Sequence, residues 1–436
     1  MGIQSAMYSG VSGLNTNSQA MSVIGNNLAN TNTLGFKSSR SVFSDLLSSS
    51  VFGSGGMSQV GRGVGLSTVD SIYSQGTFET TSSDTDVAIE GIGFFVLKEE
   101  GNDTAFYSRA GAFRFDDQGY LVNPEGLRVQ GKLFDPVNNN ELLPSDPTDI
   151  QVANVGLIPA NPTSELTFTT NLDENSTVIN TTTYPLIDPT DRASYNYSAS
   201  AEIFDSLGQS HLLTSFWRLI DDTGNTWEAA YTIDNDPATL TQLDFDPVTA
   251  GTQNMVFNDV GEYDPNNDGI PDSFTTTTGT VPISWVNGAA DSTITLNFNC
   301  TQYDSASIVI GQQQNGYGAG ELTNVAVNGE GVVVASYSNG RQINISQLVL
   351  AKFQNPGGLK LAGSNRYTAG AETGTIRIGL PGPELGKLFT NSLEQSNVDM
   401  GQEFVKMITT QRGFQANSKI ITTVDEMLGE LINLKR

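Results

Sequence analysis

The sequence predicts an α+β protein of several domains, with the N- and C-terminal α-helices paired as a coiled coil and two mainly-β domains, the outer inserted in the inner. Three observations predict this class: heptad repeats of apolar residues at both ends, alternating strand patterns in two separated blocks, and an acidic block between them. A length of 436 residues suits about three compact units of about 150 residues each.

Each chain end carries an apolar stripe with a period of seven residues. The N-terminal stripe consists of Met7, Leu14, Met21 and Leu28, with Ile24 beside it. The C-terminal stripe and its flanking residues are Met400, Phe404, Met407, Phe414, Ile421, Val424, Leu428 and Leu431. Because heptad helices bury their stripes against helical partners, we expect these residues to form an assembly interface. For one end taken alone, an ordinary amphipathic helix is the alternative.

The N-terminal stripe lies in a sequence that makes a weak helix by itself. Residues 1–36 contain no Asp, Glu, Lys or Arg, and Gly10, Gly13 and Gly25 interrupt the run. Each helical glycine costs about 1 kcal/mol relative to alanine. We therefore expect the ends to become ordered on association. A disordered tail is the alternative, but such a tail has no need of a heptad stripe.

The middle of the chain reads as strands and hairpins separated by turn residues. Short apolar runs such as 94–97 and 332–334 alternate with Gly, Asn and Asp turns. A glycine-rich passage at 53–65 lacks the lysine of a phosphate-binding loop, so it indicates a flexible connector. The predicted parts are inner helices at 1–30 and 395–436, a flexible connecting region at 31–70, an inner β domain at 71–155 and 318–394, and an inserted outer β domain at 156–317.

Acidic residues are concentrated in the predicted outer domain. Segment 156–317 holds 21 acids against Arg192 and Arg218, which gives −19 of the total charge of −26. Such a balance opposes binding to nucleic acid or to an anionic membrane surface. No basic and apolar signal segment begins the chain, and no run of about 20 apolar residues is present. We expect no membrane insertion, and either retention inside the cell or export without a cleavable signal peptide.

One acidic turn has the spacing of the front half of a calcium-binding loop. Asp264, Asn266, Asp268 and Asp272 occupy positions 1, 3, 5 and 9, with Gly at position 6. The twelfth position is Thr275 rather than a bidentate glutamate. These four residues are therefore weak candidate ligands, and a turn without metal is the favoured interpretation.

The sequence contains no arrangement of residues that predicts an enzyme. The only histidine, His211, lies in a strand-like run, where a surface or hydrogen-bonded histidine is expected. The only cysteine, Cys300, is expected to be a small buried apolar residue. We predict no catalytic residues and no cofactor.

Both chain ends resemble those of the bacterial flagellar rod and hook proteins. The resemblance is carried by Leu28-Ala-Asn30 through Gly35-Phe36-Lys37, and by Gln395-Ser-Asn397-Val-Asp399 followed by Gln411-Arg412 and Ala416-Asn417. Segments at 86–95 and 109–113 resemble the β region that these proteins share. Segment 204–211, together with Trp227 and the large insert, is similar to hook subunits in particular, whereas other loops of 156–317 depart from the pattern.

The resemblance implies a structural subunit whose partner is itself. It implies a curved homopolymeric tube with the terminal helices innermost, which joins the basal rod to the filament and transmits torque as a universal joint. It further implies contacts with rod, hook-cap and hook–filament junction proteins, and extracellular placement after type III export. A subunit of distal-rod type is the alternative, and an acidic extracellular calcium-binding or adhesive module is the alternative from another class.

Overall fold

The computed structural model describes residues 2–46, 49–53, 56–135, 141–152, 157–221, 225–243, 254–263 and 280–434. The chain divides into two compact units. The first unit comprises Met1–Val155, Asn324–Ala335 and Gln342–Arg436, and the second comprises Gly156–Thr323 and Ser336–Arg341. The second unit therefore takes more of the chain than the predicted segment 156–317, because the strand at 320–327 pairs through Gly320 and Glu321 with residues 157–158.

Two long helices, α1 (Gly2–Ala29) and α2 (Met400–Leu434), belong to the first unit. Neither contains proline, and α2 begins where Asp399 Oδ1 accepts a hydrogen bond of 3.1 Å from the backbone N–H of Gln402. This is the N-cap arrangement that satisfies a free amide of the first turn. The helices pack closely and antiparallel, since Gly10 of α1 faces Ile421 of α2 and Asn27 faces Glu403.

Between residues 2 and 152, the described part of the chain contributes twelve strands to the first unit. They are β1 (Ser39–Asp45), β2 (Ser49–Gly53), β3 (Gly56–Val60), β4 (Val64–Ser71), β5 (Phe78–Thr80), β6 (Val87–Glu90), β7 (Phe94–Lys98), β8 (Ala105–Ser108), β9 (Arg114–Phe115), β10 (Leu121–Val122), β11 (Arg128–Leu133) and β12 (Thr148–Asp149).

Over its described residues, ten strands and two short 3₁₀ helices lie wholly within the second unit. The strands are β13 (Leu157–Ile158), β14 (Glu165–Asp173), β15 (Tyr197–Phe204), β16 (Ser210–Asp221), β17 (Thr226–Ile233), β18 (Thr241–Gln242), β19 (Asn254–Val256), β20 (Thr280–Ile283), β21 (Ser292–Tyr303) and β22 (Ile308–Gln314). The 3₁₀ helices are Arg192–Ser194 and Pro237–Thr239.

The remaining strands precede α2. They are β23 (Gly320–Val327), β24 (Val332–Tyr337), β25 (Gln342–Leu348), β26 (Leu350–Phe353), β27 (Lys360–Gly363), β28 (Arg366–Thr368), β29 (Ile376–Gly379), β30 (Lys387–Thr390) and β31 (Ser392–Glu394). Two further 3₁₀ helices lie at Pro356–Gly358 and Ala371–Thr373.

Strand β7 is central to the β part of the first unit. One edge of β7 pairs with β8, and the other pairs with β11 and β26. Its side chains alternate between two buried clusters: Phe95 and Leu97 pack with Val87 and Leu121, while Phe94 and Val96 pack in the other cluster. A continuous apolar run is what a strand covered on both faces requires.

The N- and C-terminal parts of the first unit are joined by strand pairing. Strand β30 pairs antiparallel with β6, and β31 pairs antiparallel with β5. The segment immediately before α2 is therefore held by β5 and β6, two strands from the N-terminal part of the chain. This pairing fixes where the two helices leave the β part of the unit.

The connecting region, which the sequence predicts as a flexible connector over 31–70, contains regular structure. Strand β1 pairs antiparallel with β4, and β2 with β3. Strands β1 and β4 also lie against α1, where Val64 N donates to Ser12 Oγ at 3.3 Å. Gly63 has φ +108°, and a Cβ there would lie 2.2 Å from Ser12 Oγ. Glycine in this passage thus permits close approach to α1.

The second unit packs two sheets around one core. One sheet has the order β20-β21-β14-β22 with β14 and β21 parallel, and the other has β15-β16-β17-β18 with β19 beside β17. Phe168 and Phe298 stack at 5.7 Å between centroids, and Trp217 contacts both rings edge-on. Trp227 is fully buried in the same core. The second unit therefore has a large apolar core in spite of its many acidic residues.

Candidate assembly surface

The buried line between α1 and α2, here called the helix seam, is made largely of small and polar residues. On α1 it consists of Gly10, Gly13, Thr16, Ala20, Ile24 and Asn27. On α2 only Glu403 and Val424 are buried in the described part, and residues such as Asn417 and Ile421 are half-buried. Small side chains at a helix contact let two backbones approach closely. The two helices therefore touch at short distance along a narrow line and do not enclose a wide apolar core.

Glycine and asparagine alternate across the helix seam in a reciprocal way. A Cβ at Gly13 would lie 2.7 Å from Asn417 Nδ2, and one at Gly413 would lie 3.1 Å from Asn17 Oδ1. Each asparagine also donates to the carbonyl of the glycine four residues earlier on its own helix, at 2.8 Å for Asn17 and 3.0 Å for Asn417. The glycines that weaken α1 locally are therefore contact positions, except Gly25, which has nothing within 4 Å.

The predicted interface residues fall on three levels of exposure. Ile24 and Val424 are buried in the seam. Leu14, Met21, Leu28, Met407, Ile421 and Leu428 are half-buried along its margins, and Met7, Met400, Phe404 and Phe414 are exposed. Leu431 lies in α2, but its side chain is outside the described part. The helix pair thus brings some of these residues together, and their role in contacts with other copies stays a prediction.

Several large apolar side chains of α1 and α2 are exposed in the single subunit, and together they are here called the open helix face. Its members on α1 and α2 are Met7, Tyr8, Val11, Met400, Phe404, Val405, Ile408, Phe414, Ile420, Met427 and Ile432. Phe404 is 48% exposed and Phe414 is 39% exposed. Exposed large apolar groups in such number on one pair of helices indicate an interaction surface. The open helix face is therefore the candidate assembly surface.

The region where α1 ends and α2 begins, here called the helix root, comprises 27–39, 72–76, 109 and 394–406. Asn27 Nδ2 donates to Ser39 O at 2.7 Å and to Glu403 Oε2 at 3.3 Å, while Ser39 N donates to Asn27 Oδ1 at 2.9 Å. Lys406 Nζ lies 2.6 Å from Glu403 Oε1. One asparagine thus joins α1, β1 and α2.

Asn397 ties the chain before α2 to two other segments of the helix root. Its Oδ1 accepts from Ser38 N at 2.7 Å, and its Nδ2 donates to Ile72 O at 2.8 Å and to Ser74 Oγ at 2.9 Å. An asparagine offers both a donor and an acceptor at this spacing, which aspartate or leucine cannot do. This gives a physical reason for a signature residue at position 397.

An ionic cluster is buried at the centre of the helix root. Lys37 Nζ lies 2.6 Å from Glu394 Oε1, and Arg109 Nη1 lies 3.3 Å from Glu394 Oε2. All three side chains are at most 1% exposed. Burial lowers the pKa of Lys37 and of Arg109, and the carboxylate of Glu394 offsets part of that effect. Charges this deeply buried must be paired to be tolerated.

The other signature residues have distinct positions. Gly35 has φ +64°, and a Cβ there would lie 2.7 Å from Ala110 N, so only glycine fits. Asn30 is half-buried, and its Oδ1 accepts from Thr33 Oγ1 at 3.0 Å. Phe36 is half-buried at the root, and Asp399 caps α2. Gln411, Arg412 and Ala416 are exposed on α2.

The sequence analysis predicts neither the burial of Glu394 nor the contacts of Gly13 and Gly413 across the helix seam. Glu394 reads as an ordinary surface acid, and its burial depends on pairing between residues far apart in sequence. The spacing Gly-x₃-Asn occurs at Gly13–Asn17 in the N-terminal segment, and at Gly413–Asn417 and Gly429–Asn433 in the C-terminal segment. That matched spacing was the available signal for the helix contact.

The candidates outside the helices play structural roles or cannot be placed. His211 Nδ1 lies 2.7 Å from Asp234 Oδ2 and its Nε2 lies 3.4 Å from Asp205 Oδ2, so it is a hydrogen-bonded strand histidine as predicted. Cys300 is buried, also as predicted. Asp264, Asn266, Asp268 and Asp272 lie outside the described residues. Over the described ranges, no helix is both long and apolar enough to cross a membrane.

Family models match four segments of the chain. Residues 7–37 match the flagella basal body rod protein model, and residues 88–160 match the flagellar hook protein FlgE/F/G D1 domain. Residues 171–317 match the flagellar basal body protein FlaE D2 domain, and residues 390–434 match the flagellar basal body rod FlgEFG protein C-terminal model. The helix root draws residues from the two terminal matches and from the D1 match.

Relatives match the chain over its length. The flagellar hook protein FlgE of Borreliella burgdorferi is 35% identical, with 99% of each chain covered. That of Salmonella typhimurium is 34% identical with 98% of each covered, and that of Escherichia coli is 32% identical with 99% of this chain covered. The crystal structure of Helicobacter pylori flagellar hook protein FlgE2 shares the fold at a TM-score of 0.53 and 14% identity, covering 73% of this chain and 99% of that one. The chain belongs to the flagellar hook protein family.

Proposed function

We propose that this chain is the structural subunit of a bacterial flagellar hook, which self-assembles into a curved tube that joins the rod to the filament. The observation that carries the proposal is the full-length likeness to hook proteins, at up to 35% identity in the relatives compared above. The physical support is the open helix face, which leaves apolar side chains uncovered in a single subunit.

The proposed assembly is an open helical polymer. Contact between one surface of a subunit and a different surface of the next generates a helix that does not close. In the tube, the open helix face would be buried against helices of neighbouring copies, with α1 and α2 forming a coiled coil in the innermost layer. The predicted interface residues, including Leu14 and Phe414, would lie in or beside these contacts. Ordering of α1 would then accompany assembly.

The two units are proposed to have different mechanical roles. The second unit carries −19 of the −26 charge, whereas the first carries −7. Like charges on neighbouring second units disfavour tight contacts between them and keep such contacts polar and wet. We infer an inserted outer domain with soft contacts, while apolar contacts between inner helices hold the tube together. Such a division would let the tube bend while it transmits torque.

The proposed location is outside the cell, in the flagellum. Partners beyond other copies of the chain would be the rod below, the hook cap during growth and the junction proteins above. Export would use the flagellar type III apparatus rather than a cleavable signal peptide. The support for these partners is membership of the hook family.

Phe414→Asp in the full-length chain tests the proposed assembly surface. Phe414 is exposed in the single subunit, so an acidic replacement leaves the fold intact and places a charge in the proposed helix contact. We expect loss of tubes in electron micrographs. Val286→Asp, at a fully exposed apolar residue of the second unit, is the matched control and should polymerise. Normal tubes from Phe414→Asp would refute this assignment of the surface.

The shape of the tubes separates the hook from its alternatives. A distal-rod-type subunit would build straight and stiff tubes, whereas a hook subunit builds curved ones. An adhesive or calcium-binding module would stay monomeric with its helices intact or deleted. Electron microscopy of concentrated full-length protein distinguishes all three outcomes.

A further inference from the structure

The helix root combines two features that a flexible connector lacks: a buried ion cluster and backbone groups bonded across three segments. Lys37, Arg109 and Glu394 meet with side chains at most 1% exposed. We propose that these three residues form a latch that makes the helix root a rigid joint between the helix pair and the β part of the first unit. The proposal deepens the proposed function, because bending of the tube would then be taken up outside this joint.

The charge balance of the latch makes it dependent on the C-terminal segment. Two cations, Lys37 and Arg109, face the single carboxylate of Glu394. Without Glu394, two like charges would share a buried site, which is costly because neither is hydrated or paired. Since Glu394 ends β31, the latch closes only when β31 pairs with β5. The root is thus fixed only when the two ends of the chain meet.

Further bonds leave the latch little freedom to rotate. Glu394 Oε1 also accepts from Gly76 N at 2.9 Å, and Glu394 O accepts from Gly35 N at 2.7 Å. Lys37 Nζ donates to Ser74 O at 2.7 Å, and Arg109 Nη2 donates to Gly91 O at 2.6 Å. Each charged group is therefore held by backbone as well as by its ionic partner. Hydrogen bonds to the backbone of several segments fix the orientation of those segments relative to one another. An ion pair between two flexible side chains would not fix it.

A close backbone contact shows how tightly the segments fit. A Cβ at Gly76 would lie 2.0 Å from Gln395 O, so the chain after β4 runs directly against the chain after β31. Asn397 lies on the same side and bonds Ser38, Ile72 and Ser74 without any charge. The joint therefore has an ionic part and a separable neutral part.

The test is hydrogen exchange measured by mass spectrometry on the full-length monomer. In the native chain, peptides covering 33–40 and 72–78 should be protected like β7. Glu394→Gln keeps the shape and removes the charge, so exchange in those peptides should rise roughly tenfold or more while β7 is unchanged. Lys37→Met keeps the balanced Arg109–Glu394 pair but removes the bonds from Lys37 to Ser74 O and Glu394, so exchange should rise less than in Glu394→Gln. Glu384→Gln, at the exposed pair with Arg377, is the matched control and should change nothing.

Each other outcome counts against the latch. Wild-type root peptides that exchange as fast as an unstructured chain, or an unchanged Glu394→Gln variant, would overturn it. If Glu394→Gln also unfolds β7, the variant Asn397→Ala is the deciding test. In that variant, exchange should rise in the root peptides while β7 stays protected. If β7 loses its protection in Asn397→Ala too, no separate joint exists. Because the readout needs no tube, failure to polymerise would refute the proposed function and leave the latch standing.

Discussion

For some single residues of this chain, the neighbouring sequence does not indicate whether the side chain is buried or which group it pairs with. Lys37 and Asn397 stand out in the terminal signatures, but Glu394, which makes Lys37 tolerable in the interior, does not. Sequence alone indicates that Cys300 is a small buried residue and that His211 is a surface or hydrogen-bonded strand residue, because neither belongs to an arrangement of residues that predicts catalysis or metal binding. It cannot place an ion pair whose members are 357 positions apart, because pairing of β31 with β5 brings them together.

The Cys300 thiol should be unreactive in the folded protein. Burial raises the pKa of this thiol from 9.0 to about 12, so almost no thiolate forms at neutral pH. We expect a thiol-specific reagent to modify less than about a tenth of native protein at pH 8 and all of it in urea. Rapid native labelling would show that the core around Phe168 and Phe298 opens easily.

Buried tyrosines should make the fold sensitive to alkali. Burial raises the pKa values of Tyr107, Tyr367 and Tyr231 above 10.0, so the folded state holds these protons after the unfolded state has released them. Stability that is complete below pH 10 should therefore fall as pH rises through the raised values. The lowered pKa of Lys37 has the opposite effect, since it makes stability rise with pH, but this rise ends near pH 10.5, the ordinary pKa of lysine. Tyrosinate absorbance should rise together with loss of the fold; full titration with the fold intact would contradict this.

At the scale of elements, heptad periodicity predicts both terminal helices, and strand alternation predicts the β blocks. The pattern does not select the seam: Gly10, Gly13 and Ala20 are buried, while Phe404 and Phe414 are exposed. Most residues of the apolar stripes are therefore half-buried or exposed, and only Ile24 and Val424 of the predicted interface residues are buried between α1 and α2. The strands in 39–71 were not predicted, because glycine marks both flexible segments and close contacts.

Two glycine substitutions in α1 should have opposite effects. Gly13→Ala places a Cβ 2.7 Å from Asn417 and should destabilise the helix pair by about 1–3 kcal/mol through overpacking. Gly25→Ala meets nothing within 4 Å and should stabilise the helix by about 1 kcal/mol. Thermal dissociation of tubes, followed by circular dichroism, measures both. Equal shifts for the two variants would contradict the proposed close contact at Gly13.

At the scale of the whole molecule, each of the two units has its own buried apolar clusters. The helices add the exposed apolar side chains of the open helix face. Composition predicts the acidic second unit, since its charge is a sum over residues. Its bounds differ from 156–317 because β23, which lies beyond the acidic block, begins with residues that pair with β13 inside it. The relation between copies depends on contacts that one chain does not contain.

A fragment without the helices should depend on where it ends. Residues 71–396 retain Glu394 beside Arg109, whereas residues 71–390 lose Glu394 and β31 and leave Arg109 without its carboxylate. We expect the longer fragment to be more stable by about 3–5 kcal/mol, the cost of an unpaired buried charge. Urea unfolding of both fragments measures the difference. Equal stability would mean that Arg109 is hydrated once β31 is gone.

The most direct measurement follows helix content and particle size together as full-length protein is concentrated. We expect α1 and α2 to become firmly ordered only when the open helix face is buried between copies. Circular dichroism should therefore gain helical signal in step with the appearance of curved tubes in electron micrographs. A protein that stays monomeric at high concentration with both helices already formed would contradict it.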